Sequence, residues 1–533
     1  MKILKTLFSK PVEAVDLLQQ ISKRAEDLTP EEQAKSFVSI RRIDGALKSR
    51  DSRIIFGRRG TGKTHILSYV ANTVTAKGDL AISIDLRTLG SNNSIYSDRN
   101  LDAGARATRL VRDLISTVHE KLLERITDPR SKYGGKAIEH SLDKLANCVK
   151  TILISETQQV RRQTASDRSV KAELKGSGQI SPTTAKAKAS AGLSASYDDH
   201  NKDEVTVNGE PRLSVNMGDA ASALTDIAQH IDGRIWLLLD EWSSLPEDLQ
   251  PYLADFVRRA ILPIQNISVV IAAIEFRSIF RIDFDNYRVG FELGSDISAD
   301  INLDDYFVYD VSAQTAVDFF KSLLFQHLEA FAGDQGLKES SPSQVVNSIF
   351  SQDRVFAELV RASEGVARDF INILQLAAMR SDQTKISMNE IRTAAKDWFE
   401  RDKQRNLDTN KFAQSLLHWI RDEVIDRKRA RAFLLRTDTS DPTIEFLFDE
   451  RMLHIARRSY SAQDEPGVRY QVWKVDYGCY VDLINTVKSP TGFLFEGMEI
   501  SDTGNIEVPD DDYRSVRRAV LELRDFYESS GFS

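Results

Sequence analysis

The string Gly57-Arg58-Arg59-Gly60-Thr61-Gly62-Lys63-Thr64 restricts what this chain can fold into more than any other stretch. Glycines at Gly57, Gly60 and Gly62 let the backbone curl until its N–H groups converge, as an anion requires. Ahead of the string, Arg53-Ile54-Ile55-Phe56 is a short apolar run suited to a buried strand. Behind it, His65-Ile66-Leu67-Ser68-Tyr69-Val70-Ala71-Asn72 has helical spacing. Strand, glycine turn and helix together make G-x-x-x-x-G-K-T a phosphate-binding loop, with the positive end of the helix behind the phosphates. The stretch from Gly57 to Thr64, with His65, is therefore the candidate nucleotide-binding set. Lys63 is placed to reach the terminal phosphates and Thr64 to ligate Mg²⁺.

A second signal lies far downstream. Ile235-Trp236-Leu237-Leu238-Leu239-Asp240-Glu241 is an apolar run ending in two carboxylates, a Walker B strand. Being apolar on both faces it belongs inside a parallel sheet, where ligands sit off the carboxyl ends of the strands. Asp240 is the candidate metal holder, through water, and Glu241 the candidate group that orients and polarises an attacking water. Apolar-then-acidic is weak alone. Downstream of a phosphate loop it points to hydrolysis.

The rest of 42–310 alternates strand with helix: 80–86 and 267–274 read as buried strands, 103–126 and 249–262 as helices, and Tyr306 to Tyr309 as a last strand. Five arginines are candidates for reaching a neighbouring subunit's γ-phosphate: Arg258, Arg259, Arg277, Arg281 and Arg288. The ordinary alternative for each is a surface or carboxylate-paired arginine. Residues 161–216 depart in composition, rich in Ser, Ala, Lys, Thr and Gly, basic at first (Arg161, Arg162, Arg168, Lys171, Lys175, Lys186, Lys188) and acidic at the end. They read as a mobile solvated insertion, or as a long exposed basic hairpin touching nucleic acid or a partner.

Residues 1–41 read as a helical preface, in which Thr29-Pro30-Glu31-Glu32 is a helix start. Residues 311–406 are wholly helical, and Gly365-Val366-Ala367-Arg368 opens a helix whose first turn carries Arg368. From 407 to 533, helices at 412–424 and 441–448, continued by Met452 to Ile455, precede an alternating pair, 468–475 and 480–484, turned by Asp476-Tyr477-Gly478. Helix, helix, hairpin is a winged-helix-like plan. Arg427, Lys428, Arg429, Arg431, Arg457 and Arg458 are its candidate phosphate contacts, while Asp510-Asp511-Asp512 opposes DNA. His418 and His454 sit among apolar neighbours and read as packed.

Composition sets the outer limits. The charge of −8 leaves no overall electrostatic footprint of a nucleic-acid binder, so any basic surface is local. Cys148 and Cys479, far apart, fit neither a disulfide framework nor a zinc site and suit a cytoplasmic protein. No apolar run is long enough for a membrane span.

In order, the phosphate loop, Leu239-Asp240-Glu241, the apolar strand to Ile274, the helical segment and Gly365-x-x-Arg368 resemble AAA+ ATPases of the origin-recognition-complex initiator branch and their STAND relatives. The resemblance covers about 42–406 without the insertion. It implies a parallel α/β P-loop sheet with a helical lid, and ATP with Mg²⁺ as the bound pair. It also implies Arg368 as the lid arginine beside Lys63, Asp240 and Glu241, and a homo-oligomer. At the end of the fourth strand, where the family usually has Asn, Ser or Thr, stands Glu275. Two readings follow. One is an oligomeric ATPase acting on double-stranded DNA, or on a DNA-bound assembly, through its C-terminal domain. The other is a STAND-like switch or scaffold in prokaryotic antiphage defence, with slow or no turnover, recruiting a protein partner.

Overall fold

The structure is a computed structural model that describes residues 11–22, 27–89, 100–128, 136–149, 215–381, 384–428, 430–461, 467–481 and 519–530, with Arg24, Tyr96 and Asp98. Between 149 and 215 it describes only the backbone of short strands. The basic and acidic side chains of the insertion, together with Arg429, Asp482 to Ile484 and Asp510 to Asp512, lie outside the described residues.

The apolar runs form one parallel five-stranded sheet. Its strands are β1 (Arg53–Phe56), β2 (Leu80–Asp85), β3 (Ile235–Asp240), β4 (Ile267–Ala273) and β5 (Ser298–Asn302), in the order β5-β1-β4-β3-β2. Every residue of β1, β3 and β4 is buried, as a sheet covered on both faces demands. Alternation within each run decides the face. Ile55, Trp236, Leu238 and Val270 pack with Ile66, Leu67, Val70 and Val74 of helix α1 (Lys63–Ala76). Ile54, Leu237, Leu239 and Val269 turn the other way. There they meet α2 (Ala103–Thr127), α3 (Lys136–Cys148), α4 (Met217–His230) and α5 (Gln250–Phe256). Register aligns Asp85 with Asp240, and Phe56 with both Ala273 and Asn302, so the strand ends and the loops after them share one edge.

The last strand of the sheet is Ser298–Asn302, not Tyr306 to Tyr309. Tyr306 and Tyr309 instead pack half-buried on the helical core. Between β4 and β5 the chain makes a small hairpin, Arg281–Asp283 with Arg288–Gly290. At the insertion, Gln158–Arg161 pairs antiparallel with Glu204–Val207, and Ile152–Ser155 pairs with Glu210–Leu213, so the segment leaves and re-enters side by side. Asn216 then caps α4 through Gly218 and Asp219.

In the N-terminal segment Thr29 and Glu32 form a capping box with Pro30 at the helix start, as the string predicted. Ala14, Leu17, Leu18 and Ile21 pack into the helical core rather than the sheet. That core is built by α6 (Ala313–Ala332), α7 (Pro342–Ile349), α8 (Asp353–Ala362), α9 (Ala367–Arg380) and α10 (Met388–Trp398). It runs without a break into the C-terminal region through Leu416, Phe448 and Trp473.

The C-terminal region combines α11 (Lys411–Arg421) and α12 (Pro442–Asp449) with an antiparallel sheet of β6 (Ala432–Arg436), β7 (Leu453–Ser461) and β8 (Arg469–Val475), in the order β6-β8-β7. This α+β arrangement is compatible with a winged helix, but its elements differ from the sequence reading. Met452 to Ile455 does not extend a helix: Leu453 begins the long strand β7, whose hairpin partner is β8. The expected turn at Asp476-Tyr477-Gly478 opens a short helix, Tyr477–Tyr480, so Tyr480 is helical where a second strand was expected to begin. Alternation in β8 marks a strand but not its partners, and it pairs on both sides, with β6 and β7. No helix among the described residues is long and apolar enough to cross a membrane.

Candidate functional site

The loop after β1 closes as its glycines allow. Gly60 has φ +91° and Gly62 φ +99°, in the left-handed region that a side chain disfavours. Lys63, 8% exposed, donates from Nζ to the carbonyls of Gly57 at 2.7 Å and Arg58 at 3.1 Å. Burial lowers the Lys63 pKa, and the charges of Glu241, Asp240 and Asp304 pull it back up. Beside it, Thr64 Oγ1 donates to Asp240 Oδ2 at 2.7 Å, so residues far apart in the chain place two oxygens together. Burial raises the Asp240 pKa against the pull of the Thr64 hydrogen bond.

Glu241 turns the chain out of β3 at φ 58° and ψ 40°, a strained conformation for a side-chain-bearing residue. Its N–H donates to Asp240 Oδ1 at 2.8 Å, and its Oε2 accepts from Ser244 Oγ at 3.1 Å. Strain of this kind persists where surrounding structure fixes it; the Asp240 carboxylate meets Thr64 while that of Glu241 meets Ser244.

The lid reaches the loop directly. Arg368 donates its backbone N–H to Gly60 O at 3.1 Å, and a Cβ on Gly60 would lie 2.6 Å from the Cβ of Arg368. Gly365, at φ +79°, has a comparable reason: a Cβ there would meet the Phe307 carbonyl at 2.7 Å. The Arg368 charge is felt at Lys63, so the lid arginine, the loop lysine and the two strand-end carboxylates share one electrostatic neighbourhood.

Other residues of the predicted set point elsewhere. His65 Nε2 lies 2.7 Å from the Gln33 carbonyl and its ring packs edge-on to Phe37, toward the N-terminal segment. Arg59 is exposed. The Arg58 side chain, 3% exposed, leaves the loop for the C-terminal region. There Nη1 meets the Leu453 carbonyl at 3.1 Å and His454 Nδ1 at 3.0 Å, and the guanidinium lies 4.4 Å from the Phe448 ring centroid.

The sequence reading did not single out Asp304. It accepts from the Arg58 backbone N–H at 2.9 Å and from Arg58 Nε at 2.8 Å, bracing the loop from behind. It follows β5 in a run of polar residues with no periodicity to mark it. Glu275, at the end of β4, accepts from Asn302 Nδ2 at 2.9 Å and holds Arg458 through two 2.8 Å bonds.

The five arginines considered for a neighbouring subunit all have carboxylate partners within the chain. Arg258 and Arg259 share Asp255, and Arg277 binds Asp449 and Glu450, each at 2.7 or 2.8 Å. Arg281 and Arg288 pair on their own hairpin, with Asp283 and Glu292. Several candidate DNA contacts are likewise committed: Arg431 is buried, Lys428 donates to the Val520 carbonyl at 2.8 Å, and Arg458 also holds Asp305. Of the two histidines read as packed, His418 is exposed, while His454 is buried among polar partners. A cleft of about 740 Å³ opens at the same edge on the β5 side, lined by Phe56, Glu275, Phe280, Asn302 and Arg458; Lys63, Thr64, Asp240 and Glu241 stand apart from it.

A family model described as ORC-CDC6-like matches residues 22–274, which hold the phosphate loop, β3 with its carboxylates, and β4. Among solved structures, the Walker-type ATPase PABY2304 of Pyrococcus abyssi aligns at 12% identity and TM-score 0.38, covering 87% of this chain and 97% of that one. Cdc6p from Pyrobaculum aerophilum aligns at 11% identity and TM-score 0.29, covering 84% and 89%. Both likenesses are too loose to transfer a residue's role. No curated protein matches the chain.

Proposed function

We propose that this chain, whose residues 22–274 match the ORC-CDC6-like family model, is a cytoplasmic AAA+ ATPase that binds and hydrolyses ATP with Mg²⁺ and works as an oligomer on DNA or a DNA-bound assembly. The observation that carries this reading is the contact of Thr64 with Asp240 beside buried Lys63. A hydroxyl and a carboxylate oxygen side by side are the kind of sparse protein donor set that suits Mg²⁺, which keeps most of its shell for water and phosphate. Thr64 and Asp240 would hold the ion, which when bound supplies charge neutralisation across the phosphates.

The chain's own groups do the rest. Loop amides and Lys63 grip the phosphates, and Arg368 brings a second positive charge from the lid. Glu241 orients the attacking water and accepts its proton. The acidic partners Asp240 and Glu241 favour a charged Lys63 in spite of its burial.

The internal pairing of Arg458 and the burial of Arg431 support a second reading, a nucleotide switch whose C-terminal region recruits a protein. Residues that spend their charge inside the fold add little to a phosphate-binding surface. ATP turnover with and without duplex DNA, at two salt concentrations, separates the two. The enzyme reading expects Mg²⁺-dependent turnover that Glu241→Gln lowers by at least about a hundredfold while binding persists. Nucleotide binding that survives Lys63→Ala overturns both readings. DNA association indifferent to salt, or no association, leaves the protein-recruiting switch.

A further inference from the structure

The bonds that begin at Arg58 return to the phosphate loop. Arg58 lies deep in the C-terminal region, its Nη1 3.0 Å from His454 Nδ1. A guanidinium only donates, so Nδ1 accepts and the His454 proton sits on Nε2. That N–H donates to Asp476 Oδ2 at 2.9 Å. Lys403 donates to the same oxygen and pairs with Asp369 Oδ2 at 3.0 Å. Asp369 follows Arg368 in α9, and the Arg368 N–H donates to Gly60 O. Arg58, His454, Asp476, Lys403 and Asp369 are all buried. Burial and the neighbouring Arg58 charge push His454 down to about 3, so it is neutral in this position.

Two positions of one loop are thus gripped from two sides. Gly60 is held by the lid and Arg58 by the C-terminal region, and Lys403 with Asp476 ties those two holders together. We propose that the circuit joins the phosphate loop, α9 and the C-terminal region into a single two-state unit, in which phosphate contact at the loop repositions the C-terminal region through Arg58 and His454.

The physics favours two states over a continuum. Opening one link strands a buried charge or donor, so the links open together or stay closed. A nucleotide shifts such an equilibrium only by binding one loop conformation better than the other, and Arg58 is the loop residue whose side chain is bonded into the C-terminal region. Arg277, bridging to Asp449 and Glu450, and Arg458, bridging to Glu275 and Asp305, span the same seam, so the loops after β1, β4 and β5 all enter the C-terminal region. The inference rests on the nucleotide reading above and assigns its regulation.

Amide hydrogen exchange of β7 and β8 tests it, in the full chain alone, with Mg²⁺ and ADP, and with Mg²⁺ and a slowly hydrolysed ATP analogue; binding is measured in the same samples. The unmutated chain should exchange these amides at rates that differ several-fold between the states. His454→Phe, which keeps a ring but offers neither acceptor nor donor, should still bind nucleotide and lose that difference. His454→Gln, which offers both, should recover it, an outcome a merely space-filling histidine does not produce. Nucleotide binding with β7 and β8 unmoved in the unmutated chain overturns the circuit alone, even if His454→Phe fails to fold. A His454→Phe chain that responds like the unmutated one also overturns it. An unmutated chain that takes up neither nucleotide overturns the nucleotide reading, and the circuit with it.

Discussion

Gly60 shows how much one missing side chain decides. Its backbone sits at φ +91°, and the space a Cβ would need is taken by Arg368. Gly60→Ala meets both obstacles, about 1–2 kcal/mol of backbone strain and a displaced lid helix. Nucleotide affinity measured by titration calorimetry should fall by roughly tenfold or more, while Gly294→Ala, strained but open in space, should leave affinity unchanged. Equal losses in the two would mean that the lid contact contributes nothing to binding. His454 makes a residue-scale case for electrostatics. Its folded pKa of about 3 lies below the ordinary 6.5, so the unfolded chain binds the extra proton between those values. Stability from this group is complete above pH 6.5 and drains away as pH falls toward 3. Glu364, raised to about 7 by burial against the pull of Lys474, slopes the opposite way, as does Asp449 at about 6. Both persist in a His454→Gln chain and cancel in the comparison. The stability advantage of the unmutated chain over His454→Gln should therefore grow by roughly 2 kcal/mol from pH 5 to pH 7 in denaturant unfolding. A constant difference would mean that His454 is not held neutral.

At the scale of elements, the insertion is the clearest separable piece. Its ends, Gln158–Arg161 and Glu204–Val207, are paired with each other, and α4 restarts the sheet domain with its own cap at Asn216. Replacing 162–203 by a short Gly-Ser turn closes a smaller loop between strands already adjacent, which costs little entropy. ATP affinity and the thermal midpoint should stay close to those of the full chain. Loss of the folded core would show that the insertion covers apolar surface. Strand β5 makes the opposite case. Ser298–Asn302 has few of the residues that mark a buried strand, and only Ile301 of its side chains is buried. It is an edge strand, recruited by hydrogen bonding to β1 rather than by its own hydrophobicity. The apolar Tyr306 to Tyr309 run beyond it gave a stronger strand signal and belongs to the helical core instead.

At the scale of the molecule, what was legible in the sequence was what a local pattern can carry. Gly57 to Thr64 with its flanks determined a phosphate loop between strand and helix, because glycine and apolar spacing act on neighbouring residues. The runs at 235–241 and 267–274 determined buried parallel strands, and Asp240 arrives at the sheet edge by its place in the run. Gly365 ahead of Arg368 marked the start of the lid helix. Tertiary structure alone decided what those residues touch. It set Thr64 against Asp240, laid Arg368 over Gly60, and sent Arg58 out of its own loop into His454. It also made β7 a strand where local spacing read helix, because pairing with β8 outweighs a short segment's own preference. Hydrophobic periodicity is written along the chain. The partner of a buried charge is chosen only when distant segments close around it, since desolvation then makes an unpaired position intolerable.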